Sequence, residues 1–300
     1  MSGFIGDLVN FYLIPGLVLG SIYALGAIGL TLTFGILRFA NFAHGETMTL
    51  GAYFAWTLVQ LTGWHPIAVL PIAMGLTVVA VLGIDRGFYK PFRASPTIML
   101  VIASFGMMLM VRSVVQFVWG VQVKAMVPGI QMPVVLFDWL RISPKHAMIM
   151  GSVLVLMFAV HYLLTYTRIG KAMRAMSDSP ELARLTGINT EAVIRATWVI
   201  GAALAAAAGV LLAVDTHVET MMGFKLLLPV FAATILGGIG RPYGAVAGGL
   251  VIGLAEELSS YPWIGTEPLL NPGYKAGVAF AIMVVMLIWR PSGLFRGKVY

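Results

Sequence analysis

Three hundred residues, 59% of them hydrophobic and only 10% charged, with a mean hydropathy of +0.92, cannot hide their apolar surface inside a water-soluble domain. Lipid is the solvent for most of this chain. The absence of cysteine excludes a disulfide framework, a thiol nucleophile and a cysteine metal site, and the net charge of +7 does not point to nucleic acid, because Lys and Arg sit between apolar runs where membrane topology explains them.

The first ten residues, MSGFIGDLVN, carry no Lys or Arg, so the first apolar run reads as a retained span rather than a cleaved leader. That run, 11–34, has no charge and suffices to cross a hydrocarbon core of about 30 Å. Gly16 and Gly20 give it a small-residue face for a neighbouring helix. Next, GILRFANFAHGETMTLGAY packs Arg38, Asn41, His44 and Glu46 between apolar runs. The run 47–61 is short for a span and predicts oblique or partial entry. A third span covers 66–84. Asp85, Arg86, Lys90 and Arg93 then form a basic loop in which Pro91 and Pro96 discourage helix.

A fourth span, 97–119, is interrupted only by Arg112, a charge that must face protein or water. Residues 120–146 read as a mixed loop and 147–166 as a fifth span. The polar interval 168–195 follows. A sixth span, 196–214, sets Gly201, Ala205 and Gly209 on one face. The stretch 226–258 is too long for one span and is broken by GGIGRPYG, which predicts two half-helices meeting at a glycine turn. A last span, 273–289, precedes a basic tail. These amount to about eight membrane segments in one domain, 1–300. With the N-terminus outside and the broken segment entering and leaving on one side, twelve Lys and Arg face the cytoplasm and five the exterior, as the positive-inside rule asks.

No GxxxxGK[ST] phosphate loop is present, and GGIGRPYG lacks dinucleotide spacing. His44 and Glu46 lack the further ligands a metal needs, so no metal site is expected. Asn41, His44 and Glu46 are expected to cap a helix or satisfy broken backbone near a pathway, together with Gly237, Gly238 and Gly240 of the second break. Irregular backbone at membrane depth is tolerated only against protein or water.

The polar interval carries local punctuation. In SDSPELARLTGIN, Ser179 is an N-cap, Pro180 the first helical residue, Glu181 an acid in the first turn, and Gly187 a stop. Leu182 and Leu185 share one face. So short an amphipathic helix either lies on the membrane surface or docks on a partner, and docking is the sharper reading.

Three stretches, GLTLTFGILRFANFAHGETMTLGAY, PELARLTGINTEAVIRATWVIGAALAAAAGVLLA and FAATILGGIGRPYGAVAGGLVIGLAE, resemble the permease subunit of branched-chain amino-acid ABC importers, and the resemblance runs nearly end to end. It implies an all-α polytopic permease of the bacterial inner membrane. It further implies a related second permease as heterodimer partner, two cytoplasmic ATPases that bind ATP and magnesium in trans, and a periplasmic or surface binding protein. This chain itself would be no enzyme and hold no cofactor. Pro180, Glu181, Leu182, Ala183, Arg184, Leu185, Thr186, Gly187, Ile188 and Asn189 match the loop that docks on the ATPase, although the strict EAA triplet of that loop reads PELA here. Related permeases carry urea, short amides or other carboxylates. A stand-alone secondary transporter or channel would need no docking helix and more intramembrane acids, and a polytopic membrane enzyme would need a nucleophile or metal cluster that the sequence does not offer.

Overall fold

In lipid a backbone must satisfy its own amides, so the apolar runs fold as helices. A computed structural model describes residues 6–93, 95–127, 134–136, 140–263, 269–295 and 297. Helix α1, Ile14–Leu37, follows a π-helical turn at Val9–Leu13; α2 is Ala43–Thr62, α3 Pro66–Ile84, α4 Thr97–Trp119 and α5 Pro144–Tyr166. The polar interval holds α6, Arg168–Asp178, and α7, Pro180–Leu185. Helices α8, Thr190–Asp215, α9, Met222–Gly237, α10, Pro242–Ser259, and α11, Lys275–Trp289, complete the order. The segments containing α1, α3, α4, α5 and α8 are long and apolar enough to cross a membrane, and α9 and α11 are shorter apolar helices. The chain is an all-α polytopic membrane protein.

The bounds of α3 and α4 coincide with the sequence reading. Elsewhere it needs correction. Pro91 does not end the helix before it: α3 continues through a π-helical turn, Asp85–Tyr89, into a further turn, Lys90–Phe92, and the π-helical turn just before it interrupts the i−4 ladder that proline cannot join. The expected loop 120–146 contains a small antiparallel hairpin, β1 Val134–Leu136 with β2 Leu140–Ile142. The first half of the polar interval is helical too: Thr167 caps α6 by accepting from the Gly170 amide at 3.1 Å, and Met173 and Met176 are buried. Arg296 and Lys298 of the expected basic tail lie outside the described residues.

Small residues set the packing. Gly16 and Gly20 lie against α10, where a Cβ on Gly20 would stand 2.9 Å from the Leu250 Cα. On α8, Gly201 faces Gly29 and Thr33 of α1, Gly209 touches the Met48 backbone of α2, and Ala205 is fully buried. Helices α9 and α10 form an antiparallel hairpin: a Cβ on Gly237 would overlap Gly244, and one on Gly248 would overlap Ala233. Gly240 at the tip faces Gly35, in the last turn of α1.

Ion pairs mark the two ends of the bundle. At the end that carries α6 and α7, Arg93 joins Asp85 at 2.6 Å and Glu191 at 2.9 Å. At the opposite end Lys145 meets Asp215 at 3.1 Å and Lys275 meets Glu257 at 2.8 Å.

Candidate translocation and coupling sites

The break between α1 and α2 lies inside the bundle. Ser104, which contacts it, sits two turns into α4, about 10 Å along that helix. The Phe42 amide donates to the Ser104 hydroxyl at 3.2 Å, and that hydroxyl lies 3.2 Å from the Ala40 carbonyl. Asn41 is buried, and its Oδ1 accepts from the Ala43 amide at 3.1 Å and from the Tyr89 hydroxyl at 3.3 Å. His44 Nε2 lies 3.0 Å from the Gly26 carbonyl. Glu46, fully buried in the first turn of α2, accepts from Arg112 Nε at 2.9 Å and also from Nη2. The Arg112 guanidinium sits 4.8 Å above the Phe224 ring of α9. The intramembrane arginine therefore has a carboxylate partner and an aromatic lid, which supplies the compensation a buried charge needs.

The second break, Gly238 to Arg241, is built from backbone. Gly238 has φ 101° and Gly240 φ 80°, conformations that other residues adopt only with strain. Gly238 is also closed in by the chain beyond α11, for a Cβ there would come 2.9 Å from the Gly297 nitrogen. A Cβ on Gly240 would meet Ser177 and Gly35 only at ordinary contact distances, 3.9 Å and 4.0 Å, so its requirement is conformational; its amide donates to Thr31 at 2.8 Å. Each break rests on its own part of α1: His44 two to three turns before the end of that helix, Gly240 at its end.

Helix α7 carries the punctuation read from sequence. The Ser179 hydroxyl accepts from the Leu182 amide at 3.4 Å, and Pro180 follows. Gly187, at φ 80°, donates to the Arg184 carbonyl, and Ile188 donates to that of Ala183, the paired bonds of a Schellman stop. Asn189 then caps α8 by accepting from Ala192 at 3.0 Å. Ala183 faces inward, whereas Leu182 and Leu185 are 63% and 84% exposed. Glu181, Arg184 and Thr186 complete the segment. A crevice of about 420 Å3 separates α6 from the glycine tip, lined by Gly35, Arg174, Ser177, Asp178 and Arg241.

Sequence reasoning missed three features: Arg93 as the clamp between Asp85 and Glu191, Ser104 as the partner of broken backbone, and the buried Glu256 of α10, which accepts from the Tyr23 hydroxyl at 2.7 Å. Only the last left a signal, a pair of acids ending an otherwise apolar, glycine-rich run. Among the described residues no three His, Asp or Glu gather as a metal site.

Comparison with known proteins bears on these features. The family described as "Branched-chain amino acid transport system / permease component" matches residues 12–287. The high-affinity branched-chain amino acid transport system permease protein LivH of Escherichia coli is 35% identical over 93% of this chain and 92% of its own length. BraD of Pseudomonas aeruginosa, another permease protein of that description, is 32% identical over 94% of each. A solved structure, PsaBC from Streptococcus pneumoniae in complex with Fab, shares the fold with a TM-score of 0.52 at 13% identity, covering 96% of both chains.

Proposed function

The chain belongs to the family of permease components of branched-chain amino acid transport systems, and from that premise we propose that it forms one half of the translocation pathway of an ABC importer for such amino acids. The single membrane domain 1–300 works with a second, related permease. Two cytoplasmic ATPases bind ATP and magnesium in trans, and a binding protein delivers the substrate. The assembly sits in the bacterial inner membrane with the α6–α7 end in the cytoplasm. About eight membrane segments result, with the α9–α10 hairpin entering and leaving at the exterior. The twelve-to-five distribution of Lys and Arg supports this orientation.

The observation that carries the reading is α7: six residues, capped at both ends, suspended between membrane-length helices, with Leu182 and Leu185 exposed. A rigid helix transmits force where a loop would yield. The exposed leucines are the anchors for an ATPase groove, since a few buried apolar residues dominate such interfaces. Ser177 of the adjoining α6 packs near Gly35 and Gly240, so a push on α7 bears on the α9–α10 hairpin and the end of α1. Asn41, His44 and Glu46 at one break, and Gly237, Gly238 and Gly240 at the other, are the pathway residues of this scheme.

The test is the complete importer reconstituted in vesicles. ATP-driven leucine uptake is expected from the parent. Leu185→Asp buries a charge in the contact and is expected to insert normally while ATPase co-purification and substrate-stimulated ATP hydrolysis fall by about tenfold or more. Full coupling in that variant would mean that α7 merely rests on the lipid surface.

A further inference from the structure

At the end of the bundle opposite α7, a crevice of about 460 Å3 opens between α1, α8, α9, α10 and α11, a volume within the range of small-molecule sites. Glu256 lines it. The residue is 2% exposed, the Tyr23 hydroxyl donates to Oε2, and Oε1 has no hydrogen-bond partner among the described residues. The other acids nearby are provided for: Glu219 holds Lys225, and Glu257 holds Lys275. A buried carboxylate oxygen without a partner is costly, and its residue lines a cavity that a cationic group can enter.

Lys225 and Lys275 also line the crevice; each ammonium has three N–H donors and its glutamate takes one, which leaves donors for a second carboxylate. Leu19, Leu212 and Leu226 supply an apolar wall. A free carboxylate oxygen and spare ammonium donors beside an aliphatic surface match one class of ligand. We propose that the crevice receives a free aliphatic amino acid as its zwitterion, with the ammonium on Glu256 Oε1, the carboxylate towards the lysines and the side chain on the leucines. The assignment rests on the substrate class proposed above and goes beyond it by placing a stop for the substrate on this chain before the central break. Glu256 is here a binding residue, and Tyr23 a positioning residue that fixes which oxygen stays free.

The cysteine-free background supplies the experiment. Thr216→Cys puts a reporter thiol in the crevice lining of the complete importer, and its rate of reaction with N-ethylmaleimide is measured in vesicles. Leucine at twice its Kd should slow labelling about threefold, because the free fraction falls by 1 + [L]/Kd. At the same concentration 4-methylpentanoate, which lacks the ammonium, should leave the rate unchanged. Glu256→Gln in the reporter background should raise the leucine concentration needed for protection by about tenfold or more. Lys275→Gln reads the other pole and keeps the test alive should Glu256→Gln not accumulate: it should weaken protection by leucine more than protection by 3-methylbutylamine. Equal protection by leucine and 4-methylpentanoate overturns the proposal, as does unchanged protection in Glu256→Gln or equal weakening of both ligands in Lys275→Gln. Leucine uptake by the parent importer separates the two readings: uptake without protection sinks the crevice alone, whereas no uptake sinks the substrate class with it.

Discussion

The two breaks in the helical bundle solve one problem with different chemistry. Between α1 and α2 the irregular backbone is satisfied by side chains, for Asn41 and Ser104 hold its amides; in the first turn of α2, His44 reaches back to the Gly26 carbonyl of α1 and Glu46 pairs with Arg112. Between α9 and α10 almost no polar side chain takes part. Glycines let one backbone lie on another, at Gly237 with Gly244 and at Gly238 with Gly297, and two positive φ angles turn the chain. The first solution suits a buried stretch of irregular backbone, where no water satisfies a stray amide. The second suits a tip beside the end of α1 and the polar helix α6, where the turn needs close approach more than donors. The first break should therefore be sensitive to charge and the second to volume.

The largest effect is expected at the ion pair. Arg112→Met leaves the Glu46 carboxylate buried without its partner, a loss of about 3–5 kcal/mol. Thermal unfolding of the purified protein in detergent should show it. The double change Glu46→Gln with Arg112→Gln should recover most of that stability, and a double variant no better than the single would mean that the arginine acts by packing on Phe224 rather than by charge.

Volume comes next. Gly237→Ala forces a methyl group into the Gly244 backbone, and overpacking of this kind costs about 1–3 kcal/mol. The same melting assay applies. A neutral result would show that the hairpin separates freely and that close approach is not what holds the tip.

The smallest effect isolates backbone strain. Gly240 and Gly187 share φ 80°, and a Cβ at either would meet nothing nearer than 3.9 Å. Alanine at each is expected to cost about 1–2 kcal/mol, the left-handed penalty alone. Equal shifts in melting temperature would assign the glycine requirement at both sites to torsion. A larger loss at Gly240 would reveal that the tip also depends on fit against Gly35 and Thr31.

Much of this was legible in the chain itself. Lipid solvation demands apolar runs, so α4 and the start of α3 could be bounded to the residue. Caps and stops are local chemistry, so Ser179, Pro180 and Gly187 delimited α7, and GGIGRPYG marked a turn. Small residues four apart pointed to the faces where α1 meets α10 and α8 meets α1 and α2. Helix α6 was hidden because polarity reads as loop until the burial of Met173 and Met176 is known. The pairings had no sequence signal at all. Glu46 and Arg112 stand 66 positions apart, and Tyr23 and Glu256 stand 233 apart. Hydrophobic periodicity records only that a face is covered, whereas the partner of a buried charge is decided by how whole helices cross.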